Sequence, residues 1–243
     1  MIKIKNLTCS YDKNIILQNT DAVIEDDITI LGINGSGKST LAKAICGLLD
    51  YKGEILVDAT DIKNLTFVQR AKLISYIPAK LDVYDRFITV EEFVLLGRFA
   101  HKGGFSTYSQ TDKDMAKSMI KLLGIEHLGK HTLNSLSSGE QQLVQIASSL
   151  TQQSKIIIFD EPTANLDPKN SKKIAKHIKE LKNRYFVILI THDLHLANYI
   201  GSEILFLKDK KLQHFKQSDN FFEPKNLSEL FGVEFDGMDI KYG

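Results

Sequence analysis

The chain has 243 residues, 43% of them hydrophobic and 25% charged, with a formal net charge of +1. That length suits one large domain with a well-buried core or two small lobes, and the composition is that of a soluble globular protein. The balanced charge excludes a sequence-wide attraction to nucleic acid or to an anionic lipid surface, so neither is expected as a direct partner.

The first 30 residues are short alternating runs broken by Asp and Asn, the pattern of a small antiparallel sheet. Met1-Ile2-Lys3-Ile4-Lys5 alternates in the same way and lacks the apolar core of a signal peptide, so a cytoplasmic location is expected. Asp27 to Leu31 reads as a strand running into a glycine-rich turn. A helix over Ser39 to Leu49 follows, with Leu41, Ile45 and Leu48 on one face. Gly53 to Val57 reads as another strand. From about Val90 to Leu150 the pattern is mostly helical. Thr111 and Asp114 have capping-box spacing ahead of a helix over 112–123, whose apolar face is read as Met115, Met119 and Leu122. Lys155 to Asp160 and Tyr185 to Ile190 are continuously apolar, as parallel strands covered on both faces are, with a helix over Asn170 to Leu181 between them. The second run is the longest apolar stretch, six residues, against about 20 for a membrane-spanning helix. Glu203 to Leu207 and Leu212 to Phe215 flank a polar turn and read as a late hairpin. Cys9 and Cys46 show no metal-ligand spacing and are read as free buried thiols.

Gly32-Ile33-Asn34-Gly35-Ser36-Gly37-Lys38-Ser39 fits G-x-x-x-x-G-K-[ST] without a gap, between an expected strand and an expected helix. The glycines let the backbone approach phosphate oxygens, and the loop N–H groups point inward as an anion nest. The helix starting near Ser39 and Thr40 adds its positive end. Lys38 can reach the β- and γ-phosphates of ATP, and the Ser39 hydroxyl can ligate Mg²⁺. Downstream, Ile156-Ile157-Ile158-Phe159-Asp160-Glu161 is an apolar strand ending in two acids, where a parallel sheet binds ligands. Asp160 is placed to hold the Mg²⁺ shell, and Glu161 to polarise an attacking water as general base.

Leu136-Ser137-Ser138-Gly139-Glu140-Gln141-Gln142 resembles the signature motif of the ABC transporter ATPases, with Ser138 in place of a glycine. Several other segments are similar to that family's. They are the Asn34-Gly35-Ser36-Gly37 form of the phosphate loop, Pro162 to Asp167 as the Pro plus D-loop segment, and Ile190-Thr191-His192-Asp193 as the switch histidine. Tyr11 occupies the place of the aromatic that stacks on adenine. The resemblance covers the whole chain. It implies a P-loop NTPase core with an N-terminal antiparallel β-subdomain (about 1–82 and 151–243) and a helical insertion (about 83–150). It also implies an ATP- and Mg²⁺-dependent ATPase whose copies close head to tail, so that Ser137, Ser138, Gly139, Glu140 and Asp167 of one copy meet nucleotide held by Lys38 of the other. His192 would sense the γ-phosphate, and transmembrane permease subunits would hold the protein on the inner face of the cell membrane.

Val94-Leu95-Leu96-Gly97-Arg98-Phe99 and Glu229-Leu230-Phe231-Gly232-Val233 resemble stretches in importers of iron-siderophore, haem and cobalamin. The single phosphate loop and the compact insertion argue against tandem ribosome-acting ATPases and coiled-coil chromosome proteins, and N-K-x-D for guanine is absent. One departure stands out. After Ile74-Ser75-Tyr76-Ile77-Pro78 the family's Q-loop has Gln, whereas this chain has Ala79. An alternative reading follows, a low-turnover regulatory or interaction subunit.

Overall fold

The computed structural model describes residues 1–81, 85–102 and 106–236. In chain order the elements are β1 (Ile2–Tyr11), β2 (Asn14–Ile24), β3 (Ile28–Leu31), α1 (Lys38–Ile45), β4 (Tyr51–Val57), β5 (Thr60–Asp61), α2 (Phe67–Leu73) and β6 (Ile74–Ile77). Then come α3 (Val90–Leu96), α4 (Gln110–Leu122), α5 (Ser138–Gln152), β7 (Ile156–Asp160), α6 (Pro168–Leu181), β8 (Phe186–Thr191) and α7 (Leu194–Ile200). The chain closes with β9 (Glu203–Lys208), β10 (Lys211–Phe215), α8 (Ser218–Phe221) and α9 (Pro224–Phe231). Strands and helices mix as expected of an α/β protein, with α3 to α5 inserted between β6 and β7.

Two sheets form. The first has the order β2-β1-β4-β5 and is antiparallel. The second has the order β10-β9-β3-β8-β7-β6, parallel from β9 to β6, with β10 closing an antiparallel hairpin on β9. The unbroken apolar runs now have a physical reason. Ile156, Ile158, Ile188 and Ile190 pack toward α1 and the first sheet. Ile157, Phe159, Val187 and Leu189 pack toward the helices on the opposite face. Successive side chains on a strand point to opposite faces, so a strand covered on both has no polar position to spare.

Three local expectations need correction. The cap of α4 is Ser109, not Thr111: the Ser109 hydroxyl accepts from the Asp112 N–H, and the Asp112 carboxylate accepts from the Ser109 N–H and hydroxyl. The buried face of α4 is therefore Asp112, Ala116 and Ile120, while Leu122 is 54% exposed. The reading favoured the larger apolar side chains over a buried carboxylate. Finally, α1 ends at Ile45, before Gly47 (φ +65°), which leaves Leu48 exposed. Both cysteines are free, Cys9 buried and Cys46 half-buried.

α5 ties the insertion to the sheet. A Cβ on Gly97 would lie 2.3 Å from the Ser148 carbonyl oxygen of α5, so only glycine fits this approach. Arg98 then sits at the C-terminal end of α5. It donates to the Thr151 carbonyl (3.1 Å), to Gln153 Oε1 (2.6 Å) and to Asp112 Oδ1 (2.8 Å). A cation at a helix C-terminus satisfies otherwise unpaired carbonyls. Farther along, the Gln152 amide donates to the Ala71 and Ile74 carbonyls, and the hydroxyls of Ser75 and Ser149 are 2.6 Å apart. The Gly97-Arg98 pair therefore fastens the insertion to its central helix.

Arg98→Met should lower stability by about 3 kcal/mol, because it strands the Asp112 carboxylate in a buried site. The hydrogen bonds from Ser109 and then Arg98 pull the Asp112 carboxyl down from its ordinary 3.8 to about 2. Its contribution is complete above about pH 4 and is lost as pH falls toward 2. Urea midpoints measured at pH 7 and pH 3 should show the gap between wild type and variant narrowing on acidification.

Candidate nucleotide site

The phosphate loop leaves the C-terminal end of β3, a central strand of the second sheet. Gly35 (φ +79°) and Gly37 (φ +109°) take left-handed backbone conformations that a side chain would resist. Gly37 is also the N-cap of α1, which has no side-chain cap and no acidic residue in its first turn. The first N–H groups of α1 are thus left open, and an anion satisfies them. Ile33, Asn34 and Gly35 are exposed, whereas Lys38 and Thr40 are buried. The Lys38 ammonium donates to the Gly32 carbonyl (2.8 Å) and the Ile33 carbonyl (3.2 Å).

The two acids at the end of β7 face this loop. Ser39 Oγ donates to Asp160 Oδ1 (3.0 Å), and the Tyr76 hydroxyl donates to Asp160 Oδ2 (2.6 Å). Glu161 turns back in a left-handed conformation (φ +49°), its N–H held by the Ile190 carbonyl at 2.8 Å. That geometry is costly for a non-glycine residue and clusters at functional sites. It aims the carboxylate between two partners. Oε1 lies 3.6 Å from the Lys38 ammonium. Oε2 is 2.9 Å from His192 Nδ1 and accepts from the His192 N–H and the Thr191 hydroxyl, each at 3.3 Å. Lys38, Ser39, Asp160, Glu161 and His192 thus form one cluster at the open start of α1.

The donor set fits Mg²⁺. Ser39 Oγ and Asp160 Oδ1 are hard oxygens already beside each other, at the edge of an anion site. No group of three or more His, Cys, Asp or Glu suited to a metal occurs among the described residues. Mg²⁺ does not require one, since it takes one or two protein oxygens together with substrate phosphates and water.

Ser137, Ser138, Gly139, Glu140 and Asp167 form a second cluster. Ser137 caps α5 in a capping box with Glu140, whose carboxylate accepts from the Ser137 N–H (2.8 Å) and hydroxyl (2.7 Å). These bonds from Ser137 hold the Glu140 carboxyl below its usual range. Ser138 Oγ donates to the Asn165 carbonyl (3.4 Å). A Cβ on Gly139 would lie 2.7 Å from Asn170 Cγ, and the Asn170 amide donates to Asp167 (2.6 Å). The signature turn and the D-loop segment are therefore packed together. No hydrogen bond or ion pair joins this cluster to Lys38 or Ser39 among the described residues. Tyr11 is 45% exposed at the end of β1, and among the described residues no hydrogen bond places it in either cluster. Tyr76 was missed by sequence reading. Its signal was position, a hydroxyl-bearing residue near the C-terminal end of the strand paired with β7.

The ABC transporter family matches residues 24–164, which hold the phosphate loop, the signature turn and both acids. An iron chelatin transport ATP-binding protein of Helicobacter pylori is 34% identical, over 98% of this chain and 95% of its own length. A manganese transport system ATP-binding protein of Bacillus subtilis is 33% identical, over 95% and 92%. Among solved structures, a metal-chelate type ABC transporter in an inward-facing conformation superposes with a TM-score of 0.83 at 26% identity, covering 96% of this chain and 89% of that one. A dimeric ATP-binding cassette in a post-hydrolysis state with ADP and Pi superposes with a TM-score of 0.77 at 29% identity, covering 89% and 98%. With its open phosphate loop, paired acids and signature turn in place, the chain belongs to the ABC transporter family as an ATP-binding and ATP-hydrolysing subunit.

Proposed function

We propose that this chain powers a membrane importer of chelated metal, in the iron-siderophore, haem or cobalamin class, through a head-to-tail dimer of two copies. The observation that carries the reading is the convergence of Lys38, Ser39, Asp160, Glu161 and His192 on the uncapped start of α1. In this reading Gly32 to Thr40 bind the ATP phosphates, Ser39 and Asp160 hold Mg²⁺, Glu161 takes the proton of the attacking water, and His192 contacts the γ-phosphate. Tyr11 stacks on adenine. Bound Mg²⁺ would add charge neutralisation of the transferring phosphoryl group.

Separation of the two clusters favours a composite site. Ser137 to Glu140 with Asp167 present a helix N-terminus that has no phosphate-loop lysine of its own, which suits a γ-phosphate brought by a second copy. The relatives' iron-chelatin and metal-chelate transport favours the substrate class. No helix among the described residues is long and apolar enough to cross a membrane. Attachment to the inner face of the cell membrane then runs through permease subunits, received near residues 80–98. Phe87 and Leu96 there, and adjacent Phe99, are exposed apolar groups; residues 82–84 of that stretch lie outside the described ones. The division into a core (about 1–82 and 151–243) and a helical subdomain (about 83–150) belongs to the same proposal. The alternative of a low-turnover regulatory subunit rests on Ala79, exposed just after β6. Its methyl group offers neither donor nor acceptor.

Three outcomes test this. Glu161→Gln should keep ATP binding, lower turnover about 10²–10⁴-fold and accumulate an ATP-bound dimer; wild-type turnover in that variant would remove Glu161 as the base. Lys38→Ala and a Gly139→Val variant, each inactive alone, should recover part of the activity when mixed, through one complete site per heterodimer. Hydrolysis that stays first-order in a monomer would sink the composite site. Ala79→Gln should raise ATPase turnover several-fold in the assembled transporter if the missing amide limits it, and unchanged ATPase and transport would show that the amide is dispensable.

A further inference from the structure

We propose that Tyr76 is a positioning residue for the metal-holding carboxylate: its hydroxyl fixes Asp160 so that the other carboxylate oxygen stays turned toward Ser39. The inference rests on the reading of Asp160 and Ser39 as the Mg²⁺ ligands. Two oxygens of one buried carboxylate have different partners, Tyr76 on Oδ2 at 2.6 Å and Ser39 on Oδ1 at 3.0 Å. A short bond from a neutral hydroxyl to a carboxylate is among the stronger hydrogen bonds a protein makes. Asp160 is 2% exposed, so its oxygens depend on protein partners rather than water for orientation.

The fold makes the contact possible. β6 pairs in parallel with β7, with Tyr76 opposite Ile158 and Ile77 opposite Phe159. The hydroxyl bonds two residues past Ile158, to the carboxylate that ends β7. A phenol is neutral at ordinary pH, so the hydroxyl is a donor to the carboxylate. Ala79, three residues past Tyr76, has no polar side-chain atom. Among the described residues, Tyr76 is the side chain of β6 that hydrogen-bonds to Asp160 at the end of β7. Partners that orient a ligating group typically change metal affinity about 10- to 100-fold when removed. A tyrosine that merely filled space beside Asp160 would alter stability without altering metal affinity.

The test reads metal binding without turnover. Mn²⁺ serves as the probe in place of Mg²⁺, with ADP, followed by electron paramagnetic resonance on the full-length protein. Tyr76→Phe should weaken Mn²⁺ affinity about 10-fold, with metal-free ADP affinity unchanged within twofold. In an Asp160→Asn background the same substitution should have no further effect. Para-aminophenylalanine at position 76 keeps a donor at the same end of the ring and should restore most of the affinity. It also decides the matter if Tyr76→Phe does not fold. Mn²⁺ affinity within twofold of wild type in Tyr76→Phe, an equal loss in the Asp160→Asn background, or no metal binding with the amino ring would each overturn the proposal. Wild-type protein run alongside separates the two levels: if Mn²⁺·ADP binding there is insensitive to Ser39→Ala and Asp160→Asn, the ligand assignment itself fails.

Discussion

Parallel pairing of β8 with β3 on one side and β7 on the other is the constraint on which the site depends. It brings three chain segments to the C-terminal ends of the strands: the glycine loop after β3, the two acids at the end of β7 and the Thr191-His192 pair at the end of β8. In the parallel register Asp160 is opposite Ile190, so the first acid ends level with the strand that leads into His192. The left-handed turn at Glu161 then folds its carboxylate back onto that neighbouring strand end. None of these side chains could meet by local sequence alone, since Ser39 and Asp160 are 121 positions apart.

Much of this was legible because the family packs its chemistry into contiguous motifs. Gly32 to Ser39 carries its own backbone demands, and the apolar runs before Asp160 and His192 declare strands covered on two faces. Errors arose where a polar residue did a buried task. Asp112 looked like a surface position of α4, yet it both caps the helix with Ser109 and receives Arg98. Tyr76 enters the sequence reading only as part of the strand ahead of Ala79, because nothing local indicates that β6 lies beside β7. Leu48 was assigned to a helix that stops short of it at the glycine turn.

The Gly97-Arg98 stretch shows how a resemblance and a physical role differ. Its likeness to chelate importers suggested a substrate class. In the structure it touches no ligand cluster; Gly97 admits the close approach of α5 and Arg98 closes the end of that helix. The opposite end of α5 carries Ser137 to Glu140. One rigid helix therefore joins the signature turn to the anchorage of the insertion. Gln152 and Ser149 of the same helix hold it to β6. The linkage is built from ordinary capping and packing.

The charged side chains of the site partner one another and the loop carbonyls. Lys38 donates to two loop carbonyls, Ser39 to Asp160, and Glu161 is held by Thr191 and His192 with Lys38 near its other oxygen. ATP therefore exchanges hydrogen bonds more than it adds them, and each exchange contributes far less than the bond itself. The net attraction must come from phosphate charge meeting the uncapped N-terminus of α1 in a partly water-excluded loop. That exchange has a chemical consequence. In the proposed reading, drawing the Lys38 ammonium toward a phosphate would take its positive charge away from Glu161 Oε1, 3.6 Å from it. With Glu161 proposed as the base, the substrate itself would then separate that carboxylate from its cationic neighbour.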